Sequence, residues 1–449
     1  MTHNGLSDLT SLELSRRGLL GLGAAVGVGA AVSACGGGSA DSPGAAGGGE
    51  IAEGPYEGPK VDLAFWNGFT GGDGPFMKGM VEKFNSEHDN IVVKMNTLEW
   101  GDFYSKMPNA VASGAGPDVG AMHIDQVGTN AARGVIQPLD NMVEALQLEE
   151  SDFSEIVWNA GIYDDKRYAI PLDIHPLGFY YNKTLLSAAG IEEPPQDRES
   201  WEATLKALKE SGVDKPYWAT ATFPGHLIFA SLLEQFGGSL FNEEGTEATF
   251  NSEAGVEALT WHTSHIPEYS PPNVTQDAEL TAFQQGRNAL TFNGIWQILN
   301  LDKTEGLEYG VAPFPQIGSE KAVWASSHQL TVMRQAKPDE NKLHASRQFL
   351  NYISEASAEW AKGGQIPARN SARESAEFTA LEGQNTLAEQ LDYVVFPPTI
   401  PGIGDVPVPT YELAVNTVVL GKAEPKEALD EAVKKANAIL EDNRKKYAA

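Results

Sequence analysis

The sequence predicts an α/β fold in which helices flank mostly parallel sheets. Apolar residues alternate at strand spacing over Val61, Leu63 and Phe65, and they then recur at helical spacing over Phe76 and Met80. This switch between strand and helix repeats along the chain, and a strand–helix–strand order requires parallel pairing with helices on the faces of the sheet. With 41% hydrophobic residues and nine tryptophans, the chain is a large globular protein.

The first half of the chain alternates strand and helix, and Pro75 suits the first turn of a helix. The predicted elements there are strand 61–65, a glycine-rich turn at 67–74, helix 75–84, strand 91–93, helix 102–112, a strand from 117, a helix from 138, and a hairpin at 163–168 leading into 169–171. The predicted elements of the second half are a helix capped by Ser252, helix 276–285 closed by Gly286, strand 288–292, and an amphipathic helix from Pro425.

The N-terminus has the parts of a cleavable export signal, predicted at residues 1–34. Arg16 and Arg17 are typical of twin-arginine export, and the uncharged run 18–34 is too short and too weakly apolar for a good membrane span. Cys35 follows Val-Ser-Ala, which resembles the bacterial lipobox. We therefore expect a lipid on Cys35 that anchors the mature chain to the outer face of the membrane. A single cysteine also rules out an internal disulfide.

Residues 35–58 are predicted to be the lipidated cysteine and a flexible, glycine-rich linker. About 390 residues remain, a length typical of two or three domains. The formal net charge of −29 argues against nucleic acid and anionic lipid headgroups as partners.

Eight short segments resemble, in order, the extracellular solute-binding proteins of carbohydrate ABC importers, the maltose- and oligosaccharide-binding proteins among them. The segments are 65–66, 116–119, 168–172, 180–183, 236–241, 250–252, 294–296 and 365–369.

This resemblance implies a two-lobed fold of the periplasmic-binding-protein type, with a hinge between lobes that close on a sugar. Lobe 1 is expected at 59–172 and 306–356, and lobe 2 at 176–303 and 360–449. The partners implied are a sugar and the permease subunits of the transporter. We expect a monomer without a cofactor and without enzymatic activity.

A sugar site needs flat aromatic rings for the C–H face and polar side chains for the hydroxyl groups. In an open α/β sheet such residues lie at the carboxyl ends of strands. The candidates at predicted strand ends, or matching the family's stacking tryptophan, are Trp66, Asn67, Glu99, Trp100, Asn293 and Trp296. Trp324 is a further candidate that could instead pack in the core.

Two histidine–aspartate pairs have a spacing that puts both side chains on one face of an extended segment. They are His123 with Asp125 and Asp173 with His175. We favour contacts with sugar hydroxyls, whereas a His2Asp2 site for zinc or manganese and a structural role for each residue are the alternatives. No metal is therefore assigned. Further candidates of the same kind, for which a structural role is the alternative, are Phe223, His226 and Arg369.

An anchored enzyme acting on glycans is the alternative from another class. Gly237–Phe241 fails the Gly-x-Ser-x-Gly pattern at its last position, and neither His-Glu-x-x-His nor a Walker motif occurs. Paired carboxylates for glycoside hydrolysis have no local sequence pattern. A receptor for glycerol phosphate or another small solute is the third interpretation.

Overall fold

A computed structural model describes residues 54–447 and has the two-lobed α/β fold that the sequence predicts. The predicted signal peptide 1–34, Cys35 and the linker as far as residue 53 lie outside the described residues. Within 54–447, no helix is both long enough and apolar enough to cross a membrane.

The strands form one sheet in each lobe and a small separate hairpin. They are β1 (Val61–Asn67), β2 (Ile91–Thr97), β3 (Val119–His123), β4 (Ile162–Tyr163), β5 (Lys166–Arg167), β6 (Ala169–Pro171), β7 (Asp173–Asn182), β8 (Leu290–Gly294), β9 (Tyr309–Ala312), β10 (Val323–Ser326), β11 (His328–Val332), β12 (Ile366–Pro367) and β13 (Val394–Val395). The first sheet has the order β2-β1-β3-β11-β6, and the second has the order β12-β7-β10-β13, with β8 and β9 also paired to β7.

The parallel pairing predicted for the first lobe holds where helices connect the strands, because β1 pairs in parallel with both β2 and β3. β11 comes from far along the chain and runs antiparallel between β3 and β6. In the second sheet β10 and β13 are parallel, whereas β7 pairs antiparallel with its neighbours. Each sheet thus joins parallel and antiparallel pairs.

The helices cover the sheets. They are α1 (Asp73–Glu87), α2 (Trp100–Ala112), α3 (Ile124–Ala132), α4 (Asp140–Ala145), α5 (Glu155–Asn159), α6 (Lys183–Ala188), α7 (Arg198–Glu210), α8 (Gly225–Gln235), α9 (Glu253–Ser264), α10 (Ile266–Tyr269), α11 (Ala278–Gln284), α12 (Ile298–Asp302), α13 (Glu340–Glu355), α14 (Ser357–Ala361), α15 (Asn370–Arg373), α16 (Ala376–Thr379), α17 (Glu382–Ala388), α18 (Leu413–Val419) and α19 (Pro425–Tyr447). Ser252 caps α9 as predicted, since its side chain accepts the backbone N–H of Gly255.

The chain crosses between the two sheets three times, and two of these crossings take place at a single residue. Leu172 separates β6 of the first sheet from β7 of the second, and Ser327 separates β10 of the second from β11 of the first. β9 and β10, which fall in the range predicted for lobe 1, therefore pair in the second sheet. The lobe limits themselves stay a prediction.

Each lobe has its own apolar core. Phe65 and Phe349 lie in the core of the first lobe, and Trp201 and Phe292 lie in that of the second. A smaller cluster around Phe103 packs under α2. These cores hold the strand ends that carry the candidate site in fixed positions.

Candidate functional site

A cavity of about 630 Å³ lies beside the crossings at Leu172 and Ser327, and residues of both sheets line it. The first lobe contributes the turn after β1, the start of α2 and the end of β3. The second contributes β7, the start of α11 and the 3-10 turn Ile295–Gln297. Cavities of this size hold small organic ligands.

Indole rings from opposite lobes line this cavity. Trp100 lies parallel to the imidazole of His328, with ring centroids 5.4 Å apart and an angle of 15°. Trp296 lies 6.0 Å from the ring of Phe223. Both tryptophans cover a glycine, because a Cβ on Gly68 or Gly294 would come within 2.0 Å of the indole. The two glycines therefore let these rings lie flat against the backbone.

Polar side chains lie between the aromatic rings. Three carboxyl groups line the cavity, those of Asp73, Glu99 and Asp277, together with amides such as Asn300. Among the described residues, no lysine or arginine is part of this lining. Asp73 is buried, its Oδ2 accepts the amide of Gln365 at 3.1 Å, and burial raises its pKa to about 6. The cavity therefore offers acceptors and negative charge.

Three histidines meet on one side of the cavity, one from each of β3, β7 and β11. One ring nitrogen of each of His123, His175 and His328 lies within 4.8 Å of those of the other two. Burial lowers the pKa of His175 to about 4 and that of His123 well below its usual range, so both rings are neutral at pH 7.

Asp173 lies behind this cluster and is fully buried. Its carboxylate accepts Nδ1–H of His175 at 3.0 Å, Nδ1–H of His328 at 2.8 Å, the backbone N–H of His328 at 3.0 Å and the indole N–H of Trp360 at 2.7 Å. Burial alone would raise the pKa of Asp173. Attraction to His328 and the hydrogen bonds from the imidazoles outweigh burial, so that pKa lies well below its usual range.

Seven of the predicted site residues line the cavity. They are Glu99, Trp100, His123, His175, Phe223, Trp296 and Trp324. Their contact with a ligand stays a prediction.

Four other predicted residues lie close by but do not line the cavity. Trp66 packs against the cluster around Phe103. Asn67 is buried and accepts the backbone N–H of Phe69 at 3.2 Å, which shapes the turn after β1. Asn293 is buried and accepts the N–H of Gly294 at 2.8 Å. Asp173 orients two histidines rather than facing the cavity.

The remaining three predicted residues do not line the cavity either. Asp125 accepts the amide of Gln126 at 2.9 Å and is absent from the histidine cluster, so the four residues of the His2Asp2 alternative do not converge. His226 lies beside Tyr411. Arg369 donates to the hydroxyl of Ser354 at 2.7 Å.

His328 and Asp73 were not among the sequence candidates. His328 begins a strand that reaches β3 from about 200 positions away, and only that pairing places it opposite His123. Asp73 lies within the glycine-rich turn predicted at 67–74. A carboxylate in a glycine-rich turn after a strand is the local signal that could have identified it.

The chain is similar to known proteins over most of its length. Over 394 residues the chain is 23% identical to the galactooligosaccharide-binding protein of Bacillus subtilis, covering 84% of this chain and 89% of the relative. It is also 23% identical over 385 residues to a maltodextrin-binding protein of the same organism, and this match covers 83% of this chain and 88% of the relative.

Two solved structures share the fold. The GacH receptor of Streptomyces glaucescens, studied unliganded and with acarbose, superposes with a TM-score of 0.77 at 24% identity, covering 85% of this chain and 99% of that one. The maltose/maltodextrin-binding domain MalE of Bdellovibrio bacteriovorus, bound to maltotriose, superposes with a TM-score of 0.72 at 21% identity. This match covers 86% of this chain and 100% of that one.

The fold and its interlobe cavity define a solute-binding protein. The family model of the bacterial extracellular solute-binding proteins matches residues 69–360, and the chain belongs to that family. Its place of action is accordingly outside the cytoplasm.

Proposed function

We propose that this protein is the substrate-binding component of a carbohydrate ABC importer, which captures an oligosaccharide between its lobes and delivers it to a membrane permease. The observation that carries this proposal is the cavity of about 630 Å³ with Trp100 on one lobe and Trp296 on the other. Two relatives are a galactooligosaccharide-binding and a maltodextrin-binding protein, and two proteins of the same fold bind acarbose and maltotriose, which supports a glycan as the solute.

The side chains of the cavity suit the surface of a sugar. A pyranose presents a C–H face that packs on an indole, and a rim of hydroxyl groups that exchange hydrogen bonds with carboxylates, amides and imidazoles. Trp100, Trp296 and Trp324 supply the rings, whereas Glu99 and Asn300 supply acceptors and donors. The lack of cationic groups in the described lining argues against glycerol phosphate, which would require them.

The N-terminal sequence supports a tethered receptor. A lipid on Cys35 would hold the protein at the outer face of the membrane, and the glycine-rich linker would let the lobes reach the permease. A flexible chain of this kind spans roughly 5–6 Å times the square root of its residue number.

A panel of oligosaccharides tests this function against an enzymatic one. The mature chain is incubated with maltotriose, acarbose and galactooligosaccharides. Thermal unfolding and product chromatography are then recorded for the same samples. A ligand at 100 times its Kd adds about 2.7 kcal/mol to the unfolding free energy and raises Tm by several degrees. We expect such a shift without product, whereas released sugar would indicate an enzyme.

A further inference from the structure

The three histidines that line the cavity form a compact cluster built from distant parts of the chain. His123 and His328 lie directly opposite each other in the antiparallel pair of β3 and β11. His175, from β7 of the other sheet, stacks on His328 with ring centroids 4.1 Å apart, and its centroid lies 5.6 Å from that of His123. Three imidazoles that converge in this way can act as ligands to a single ion.

The hydrogen bonds of the cluster determine which ring nitrogen is available. An ionised carboxylate only accepts, so Nδ1 of His175 and of His328 must donate to Asp173, and Nε2 is the nitrogen of each ring that is left to bind an ion. The Tyr104 oxygen accepts the backbone N–H of His123 at 2.9 Å and lies 2.7 Å from its Nδ1. That oxygen can accept an Nδ1–H as well, which leaves Nε2 of His123 as the third nitrogen that can bind an ion.

A second observation points independently to a bound atom. His175 is 1% exposed, and its Nε2 has no hydrogen-bond partner among the described residues. A buried polar atom without a partner costs roughly 1–3 kcal/mol and calls for an explanation. Nε2 is the nitrogen that the bond from Nδ1 to Asp173 leaves with a free lone pair. A cation at this nitrogen would remove the cost.

We propose that His123, His175 and His328 bind one divalent transition-metal ion of the zinc type through their Nε2 atoms, with a further coordination position directed at the cavity. Imidazole nitrogens suit Zn²⁺ and its neighbours in the first transition row rather than Mg²⁺ or Ca²⁺, which prefer oxygen. Zinc sites that do not serve a purely structural role typically have three protein ligands and a fourth coordination position that is open.

Asp173 has the position of an outer-shell residue at such a site. Histidines that bind metals usually donate their other ring N–H to a carboxylate or carbonyl, which fixes the ring and raises its basicity. One carboxylate does this here for two rings, which come from different sheets. Asp173 is thus a positioning residue for the ion.

The surroundings favour a cation. Asp73, Glu99 and Asp277 line the same cavity, so the field there is negative. A Zn–N bond of about 2.0–2.1 Å in a tetrahedral site places ligand nitrogens about 3.3 Å apart. In the structure the ring nitrogens lie within 4.8 Å of one another, so binding requires the three rings to move closer together. His123 is the least buried of the three and has the most room to move.

Metal titration of the untagged mature chain, stripped with chelator and dialysed, tests this site. Calorimetry with Zn²⁺ alone is expected to show one ion per chain, and Co²⁺ alone to give the visible absorption bands of a low-coordinate ion. Loss of an outer-shell partner weakens metal binding by roughly 10–100-fold, and loss of a ligand in His123→Ala or His328→Ala should do at least as much. His88→Ala, which removes a ring that stacks on Phe84 on α1, is the matched control and should bind as the wild type does.

Absence of stoichiometric binding, or full binding by both cluster variants, would overturn the proposal. His328 also packs on Trp100, so its variant could lose its fold, and the wild-type chain supplies a second measurement. Anomalous diffraction from a crystal soaked in Zn²⁺ should place one ion among the three rings. A peak elsewhere, or none, would contradict the site. Neither experiment contains a sugar, so their outcome does not depend on the proposed function.

Discussion

Asp173 and His328 join the two lobes beside the cavity. Oδ1 of Asp173 accepts the backbone N–H of His328 at 3.0 Å, and Oδ2 accepts its Nδ1–H at 2.8 Å. Asp173 begins β7 of the second sheet, and His328 begins β11 of the first. The backbone N–H of Leu172 also donates to the carbonyl of His328 at 2.9 Å. The crossings at Leu172 and at Ser327 are therefore hydrogen-bonded to each other through their neighbouring residues.

Replacing Asp173 with Asn should destabilise the protein strongly. The carboxylate accepts four N–H groups, whereas the isosteric amide has one acceptor oxygen and introduces two donors of its own. Breaking a buried, charge-assisted network of this kind costs on the order of 3–5 kcal/mol. Urea unfolding followed by tryptophan fluorescence measures the loss.

Asp62→Asn is the control for this change. Asp62 pairs with Lys94 at 2.6 Å on the surface, where both side chains are more than half exposed. An exposed pair contributes about 0–1 kcal/mol. If Asp173→Asn unfolds at the same urea concentration as this control, the network does not stabilise the junction.

The sequence predicts those parts of this site that follow from local patterns, and it does not predict those that depend on contacts between residues far apart in the chain. Trp296 and Trp100 were predicted because each follows a strand within a few residues, and that is a local pattern. Trp66 also ends a strand, yet it packs on the Phe103 cluster, because strand alternation places it on the face opposite Phe65. The choice between cavity and core at a strand end depends on neighbours that are far away in sequence.

The role of Asp173 shows the same limit. Its spacing from His175 predicted only that the two side chains share one face, and in the structure Oδ1 of Asp173 lies 3.0 Å from Nδ1 of His175. Its other partners, His328 and Trp360, are 155 and 187 positions away. Only the folded chain shows that they draw the carboxylate behind the cavity. The alternation of apolar residues and the helix-capping residues predicted the strands and helices. The positions of the site residues depend instead on which strands pair in the folded chain.

Glu279 should make stability depend on pH. It is buried on α11, and burial raises its pKa from 4.5 to about 7. Because the folded state holds this proton more tightly, its contribution is complete below about pH 4.5 and is lost as the pH rises towards 7. Glu279→Gln, which keeps a neutral side chain, should therefore gain stability over the wild type between pH 5 and pH 8, by up to about 3 kcal/mol.

Chemical unfolding of both proteins at pH 5 and pH 8 measures this gain. Glu431→Gln, an exposed change on α19, is the control and should alter stability little at either pH. An equal difference between Glu279→Gln and the wild type at both pH values would contradict the assignment.

Cys35→Ser should release the protein from the membrane, because the hydroxyl cannot form the thioether that carries the lipid. Fractionation of cells that express the variant should show exported protein in the soluble fraction. Arg16→Lys together with Arg17→Lys should instead block export. Membrane association of Cys35→Ser at the wild-type level would refute the lipobox.

A bound glycan should bring the lobes together. A glycan that contacts both lobes binds the closed state more tightly than the open state. The difference between these two binding free energies is the most by which the glycan can stabilise the closed state. Closure of the lobes around a ligand is the motion expected of binding proteins with this fold. Small-angle X-ray scattering at saturating glycan should therefore show a smaller radius of gyration than the free protein, and an unchanged scattering profile would argue for a rigid pocket.

The most direct test of the central proposal, that a glycan binds in this cavity, is a calorimetric titration of Trp296→Ala with the glycan that stabilises the wild type most. Trp218→Ala is the control, because that indole lies under Arg287 and not in the lining of the cavity. Removing a central aromatic contact costs about 2–4 kcal/mol, so Trp296→Ala should raise Kd by roughly 30- to 1,000-fold, while Trp218→Ala leaves it near the wild-type value. Wild-type affinity in a folded Trp296→Ala protein would contradict the assignment of this cavity.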